Sequence, residues 1–156
     1  MTALAILGGG FLLAVLWMDL MFDVQVLAHR DLATLPEEVL ASIASYYRRV
    51  TTLARPMGHA IGAVMGITLV VVVCEILAGG SARWLDAASL PFCAGPIVLA
   101  GARVLPNAVR LGSRADAAAE QTRLARAICR DHLVCLAGIA VFAAMQLARA
   151  LMTEVR

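Results

Sequence analysis

The residues best suited to proton or metal chemistry in this chain are its three histidines, His29, His59 and His132. Histidine changes charge near neutral pH, and its neutral ring is a common metal ligand. Two aspartates, Asp19 and Asp23, stand four apart in the apolar run Trp17-Met18-Asp19-Leu20-Met21-Phe22-Asp23. That spacing puts both carboxylates on one helix face, about one turn apart. A carboxylate in such surroundings is costly, and it turns toward a bundle interior, a cation or water. Cys129-x-x-His132-x-x-Cys135 adds two thiols around the last histidine. Steps of three spread these side chains over roughly 120° of a helix, too wide for a closed site. Cys129 and His132 would therefore need His59, or an aspartate, from another helix to hold a transition metal. Facing each other, His59 and His132 would also serve as axial ligands of a haem. The plainer readings are buried free thiols and an interfacial network in which arginines neutralise the aspartates.

The elements that must position these residues are membrane helices. The chain has 156 residues, of which 62% are hydrophobic and 15% charged. Soluble domains carry roughly 45–50% apolar and about 25% charged residues, so a bilayer is the expected solvent. Four segments reach the roughly 20 apolar residues a spanning helix needs: about 3–26, 56–78, 87–105 and 132–152. The expected fold is an all-α integral membrane four-helix bundle forming one domain over 1–156. Between helices one and two, about 36–53, apolar residues recur at helical spacing from Val39 to Leu53. Glu37 and Glu38 stand at its start and Arg48 and Arg49 near its end, as the helix dipole favours. This stretch reads as an additional amphipathic helix lying along the membrane surface. Ser113 is expected to cap an extension of the fourth helix. Pro56 suits the first turn of helix two, and Gly79-Gly80 suits its stop. Gly58, Gly62 and Gly66 make a small-residue stripe for close helix packing or homo-oligomerisation.

Ten of the 13 arginines fall at the end where helix one finishes, and three at the other. The excess of arginine marks the cytoplasmic side, which places both termini outside the cytoplasm of an inner membrane. All three histidines reach that same arginine-rich end. Asp19, Asp23 and His29 arrive on helix one, Arg55 and His59 leave on helix two, Asn107 and Arg110 follow helix three, and His132 opens helix four. A net charge of only +2 offers nothing to nucleic acid.

Leu105-Pro106-Asn107-Ala108-Val109-Arg110-Leu111, a polar stretch and then His132 at the start of the last helix form a recognisable pattern. With Gly8-Gly9-Gly10 near the start of helix one, the chain resembles the four-helix integral membrane family that includes the anthrone oxygenases. The resemblance implies oxygenation of an electron-rich, lipophilic phenolic or polyketide-like substrate without metal or organic cofactor. It implies His132 as general base and Asn107 as the group that orients the substrate or stabilises its oxyanion. From their position, His59, Asp23 and Asp19 join the catalytic candidates, and Arg55, Arg110 and His29 are the candidate substrate-binding residues. Two further functions remain open: a structural or assembly subunit of a membrane complex, and proton- or ion-coupled transport.

Overall fold

Among the described residues, four helices are long and apolar enough to cross a bilayer: Thr2–His29, Pro56–Ala78, Arg83–Ser113 and Ala118–Met152. They come from a computed structural model that describes residues 1–79 and 83–154, among which every regular element is helical. In chain order these are α1 (Thr2–Asp23), prolonged by a 3₁₀ turn to His29; α2 (Glu37–Arg48), prolonged by a π-helical turn to Leu53; and α3 (Arg55–Ala78). Then come α4 (Arg83–Leu99), a π-helical turn (Ala100–Val104), α5 (Leu105–Ser113) and α6 (Ala118–Glu154). In the bundle, α6 packs on α1 and α4, and α3 packs on the same two from the other side. Thus α3 and α6 lie diagonally opposed.

Both π-helical turns come just before a proline, Pro56 or Pro106. Proline has no N–H to donate, and its ring presses on the carbonyl four residues earlier. A wider turn ahead of it relieves the clash. The third spanning helix therefore does not stop at Leu105, as the sequence suggested, but continues through Pro106 to Ser113. Ser113 ends α5 instead of capping the last helix: its hydroxyl donates to the Arg110 carbonyl at 2.7 Å. Arg114, in the left-handed region at φ 56°, closes α5, and α6 begins at Ala118. Gly80, the second half of the expected stop after α3, lies outside the described residues.

The amphipathic helix forms as expected, but its apolar face is turned onto protein. Pro36 precedes α2, and its carbonyl accepts the Val39 and Leu40 amides. Val39, Leu40, Ile43, Ala44 and Tyr47 are buried against Leu111, Leu124, Ala125 and Ile128. With α5 and the first turns of α6, α2 forms a small cap at the arginine-rich end. Each fully buried Leu or Ile there contributes roughly 1.5–3 kcal/mol. Gly112 lets α5 touch α2, since a Cβ there would lie 2.8 Å from the Arg48 amide nitrogen.

The close helix contacts inside the bundle use other glycines than those of the Gly58/Gly62/Gly66 stripe. A Cβ on Gly8 would meet the Thr68 hydroxyl at 2.0 Å, so Gly8 is where α1 and α3 approach. Gly58, Gly62 and Gly66 are exposed, and a Cβ on any of them would meet nothing within 4 Å. Their stripe points away from the bundle.

Candidate functional site

Helical spacing brings Asp19 and Asp23 to the same side of α1, and the bundle presents that side to α6 and α2. There Asp23 is fully buried, and His132 is nearly so. His132 Nδ1 lies 2.6 Å from Asp23 Oδ2, and His132 Nε2 lies 3.7 Å from Asp19 Oδ2. The imidazole is thus held between two carboxylates, one in hydrogen-bond contact and one just beyond it.

The remaining acceptor sites of the two carboxylates are met by α2. The Tyr47 hydroxyl donates to Asp23 Oδ1 at 2.6 Å, and the Tyr46 hydroxyl donates to Asp19 Oδ1 at 2.5 Å. Tyr46 is fixed by stacking on Phe22, with ring centroids 4.1 Å apart. Gln25 ties the end of α1 to α2 by donating to the Ser42 hydroxyl at 3.2 Å. Burial pushes both phenols well above their ordinary range, and the neighbouring aspartates push further. Both tyrosines therefore remain neutral donors at any physiological pH.

These contacts assign roles to the two ring nitrogens of His132. Asp23, a buried carboxylate, can only accept, so Nδ1 carries the proton facing it. The other nitrogen, Nε2, faces Asp19 Oδ2 at 3.7 Å, so a proton arriving there is stabilised by that carboxylate. A carboxylate behind an imidazole fixes its tautomer and stabilises the imidazolium formed when it takes a proton. Asp131, next in sequence, is neutralised separately by Arg103 at 3.2 Å and Arg130 at 3.1 Å.

Of the residues singled out from sequence, the structure unites His132, Asp23 and Asp19 and disperses the others. His59 is exposed in the first turns of α3, diagonally across from α6. The expected pairing of His59 with His132 for metal or haem is therefore not made. Cys129 is buried in the apolar cap, and Cys135 donates to the Pro96 carbonyl at 3.6 Å. Among the described residues, no group of three or more His, Cys, Asp or Glu is placed to hold a metal ion. Asn107 is half-buried on α5, and its side chain makes no hydrogen bond among the described residues. His29 ends the 3₁₀ turn with Nδ1 3.2 Å from the Gln25 carbonyl. Arg110 is engaged by Asp116 at 2.8 Å and Glu120 at 3.2 Å. The side chain of Arg55, at the start of α3, lies outside the described set.

Sequence reasoning missed Tyr46 and Tyr47, counting them as apolar positions of an amphipathic helix. A usable signal was present. A buried tyrosine needs an acceptor for its hydroxyl, and two aspartates in an apolar run need donors. In comparisons with protein-family models, curated proteins and solved structures, nothing matches this chain.

Proposed function

We propose that this chain is a membrane enzyme whose site lies at the cytoplasmic face of an inner membrane. It would remove a proton from a lipophilic, phenol-like small molecule and so start a cofactor-independent oxygenation. The observation that carries this reading is the 2.6 Å contact between His132 Nδ1 and Asp23; in a ring protonated at Nδ1, Nε2 would be the base. The distribution of arginines supports the cytoplasmic side, with both termini outside. The resemblance to the family of the anthrone oxygenases supports the substrate class.

In the proposed step, Nε2 takes a proton from an acidic C–H of the substrate, and the imidazolium is stabilised by Asp23 and Asp19. The resulting carbanion gives its electrons to dioxygen, forming a C–O bond and a peroxide anion. That anion takes the proton back from Nε2 and leaves as a hydroperoxide. Substrate C–H and dioxygen are consumed, and His132 is restored.

The test is oxygen uptake by the protein in nanodiscs with an anthrone-type substrate. A positioned general base is worth about 10²–10⁴-fold, so His132→Ala should lower turnover by at least about 100-fold while the helical content persists. Full turnover in that variant would rule the reading out.

The outward Gly58/Gly62/Gly66 stripe favours a second reading, a subunit of a larger membrane assembly. Isolation of the chain with a stoichiometric partner, unless Gly62→Leu is introduced, would favour it. Coupled transport is less well supported. Ala5, Leu12, Val72, Ile139 and Phe142 are buried in the middle of the bundle, and among the described residues no hydrogen-bonded chain crosses that layer.

A further inference from the structure

A second feature of the arginine-rich end takes no part in the proton chemistry. A groove of about 480 Å³ is lined by Arg103, Arg123, Arg126 and Arg130, over a floor of small side chains that includes Ala33 and Ala127. Arg123, Arg126 and Arg130 follow one another at steps of three and four on α6, so they share a face. Arg103 reaches in from the π-helical turn before α5. The volume lies in the roughly 300–1,000 Å³ range of small-molecule sites.

The carboxylates nearby do not balance these charges. Asp131 is shared by Arg103 and Arg130. Glu120 is shared by Arg123 and by Arg110 outside the groove. Arg126 faces no carboxylate among the described residues. It is held instead by carbonyl oxygens, at 3.1 Å from His29, 3.5 Å from Arg30 and 2.6 Å from Leu32, all through Nη2. Its Nε and Nη1 donate to no protein acceptor among the described residues. Four guanidiniums against two carboxylates leave a surplus of two positive charges, at least one of them fixed in place by the loop between α1 and α2.

Depth names the ligand class. The apolar stretch of α6 begins at about His132. At 1.5 Å per residue, Arg130 lies about 3 Å beyond it and Arg123 about 13 Å beyond it. That interval is the headgroup layer of a bilayer with a hydrocarbon core of about 30 Å. Guanidinium is the side chain whose planar fork matches two phosphate oxygens, and basic pockets beside spanning helices suit anionic headgroups. We propose that this groove binds the phosphate of an anionic phospholipid headgroup, with Arg126 and Arg130 as its main contacts. The proposal is independent of the proton chemistry at His132.

The test uses the full chain in nanodiscs of phosphatidylcholine with and without phosphatidylglycerol. Lipid retained through gentle detergent extraction is counted by native mass spectrometry. Phosphatidylglycerol should be retained over phosphatidylcholine, and Arg130→Gln or Arg126→Gln should each weaken retention about five-fold. Because Arg126 also ties down a loop, Arg130→Gln and Arg123→Gln keep the result readable if Arg126→Gln misfolds. Raised ionic strength should weaken retention in the wild type more than in the variants. Equal retention of the two lipids, or no change in the Arg130→Gln and Arg123→Gln variants, would overturn the proposal. So would displacement of phosphatidylglycerol by inorganic phosphate at equal concentration, which would assign the groove to free phosphate.

Discussion

The two ends of the bundle each bury carboxylates, but they neutralise them differently. At the end opposite the arginine-rich one, Glu75 on α3 and Asp86 on α4 converge on Arg149 of α6, at 2.8 and 2.9 Å. Thr2 donates to Glu75 at 2.9 Å and also contacts Arg149. Gln146 donates to the Ser89 hydroxyl at 2.9 Å. At the arginine-rich end, Asp19 and Asp23 meet an imidazole and two phenols. A guanidinium stays protonated at all accessible pH values, whereas an imidazole exchanges its proton near neutrality. The first arrangement can only hold helices together. The second can also move a proton. Burial alone therefore does not identify an active site; the chemical type of the partner does.

The comparison can be broken most easily at Arg149. Arg149→Met would strand two buried carboxylates, and removing one partner of a buried pair costs about 3–5 kcal/mol. Thermal unfolding in detergent should show a large loss. Adding Glu75→Gln and Asp86→Asn to the same chain should recover most of it. A single Arg149→Met variant as stable as the parent would show that this cluster is not a clamp.

A smaller effect separates the two tyrosines. Tyr47→Phe removes a donor from fully buried Asp23, which costs about 1–3 kcal/mol. Tyr46→Phe affects Asp19, which is partly solvated, and should cost less than Tyr47→Phe. Equal losses in unfolding experiments would contradict the difference in burial between Asp23 and Asp19.

The gentlest probe is alkaline titration. Tyr46 and Tyr47 are the only two tyrosines, so phenolate absorbance reports on this site alone. Both phenols are raised from 10.0, by burial first and by contact with or charge on the aspartates next. The folded chain then holds these protons more tightly than the unfolded chain. Stability from this source is fully present below the unfolded value and declines as pH rises above it. Just above pH 10 the folded protein should show no phenolate, whereas denaturation there should ionise somewhat more than half of each phenol, about one proton in total. Phenolate appearing in the folded state near the ordinary value would mean that both hydroxyls face water.

The membrane class was legible because hydrophobicity is a property of each residue and survives any arrangement. Each apolar segment falls inside one of the four long helices, although the third runs on to Ser113 and the fourth already begins at Ala118, and the i, i+4 spacing of Asp19 and Asp23 was enough to put them on one face. The helix ends were less legible. Ser113 and Pro106 carry capping and breaking tendencies that a π-helical turn and a left-handed Arg114 reassign. Local propensity is worth only tenths to a few kcal/mol per residue, and tertiary packing overrides it.

The sequence by itself determined the solvent, the number of spans and the collection of polar residues at one end. Only the tertiary structure decided which of those polar residues meet. His59 and His132 enter helices at the same depth, yet α3 and α6 lie on a diagonal, so depth did not become contact. The amphipathic face of α2 specified that something apolar must cover it, not whether lipid or protein would. Because α5 and α6 cover it, Tyr46 and Tyr47 are carried to the aspartates. Periodicity encodes which way a residue faces on its own helix. Which helix stands opposite depends on packing between segments far apart in the chain, and no local pattern records that.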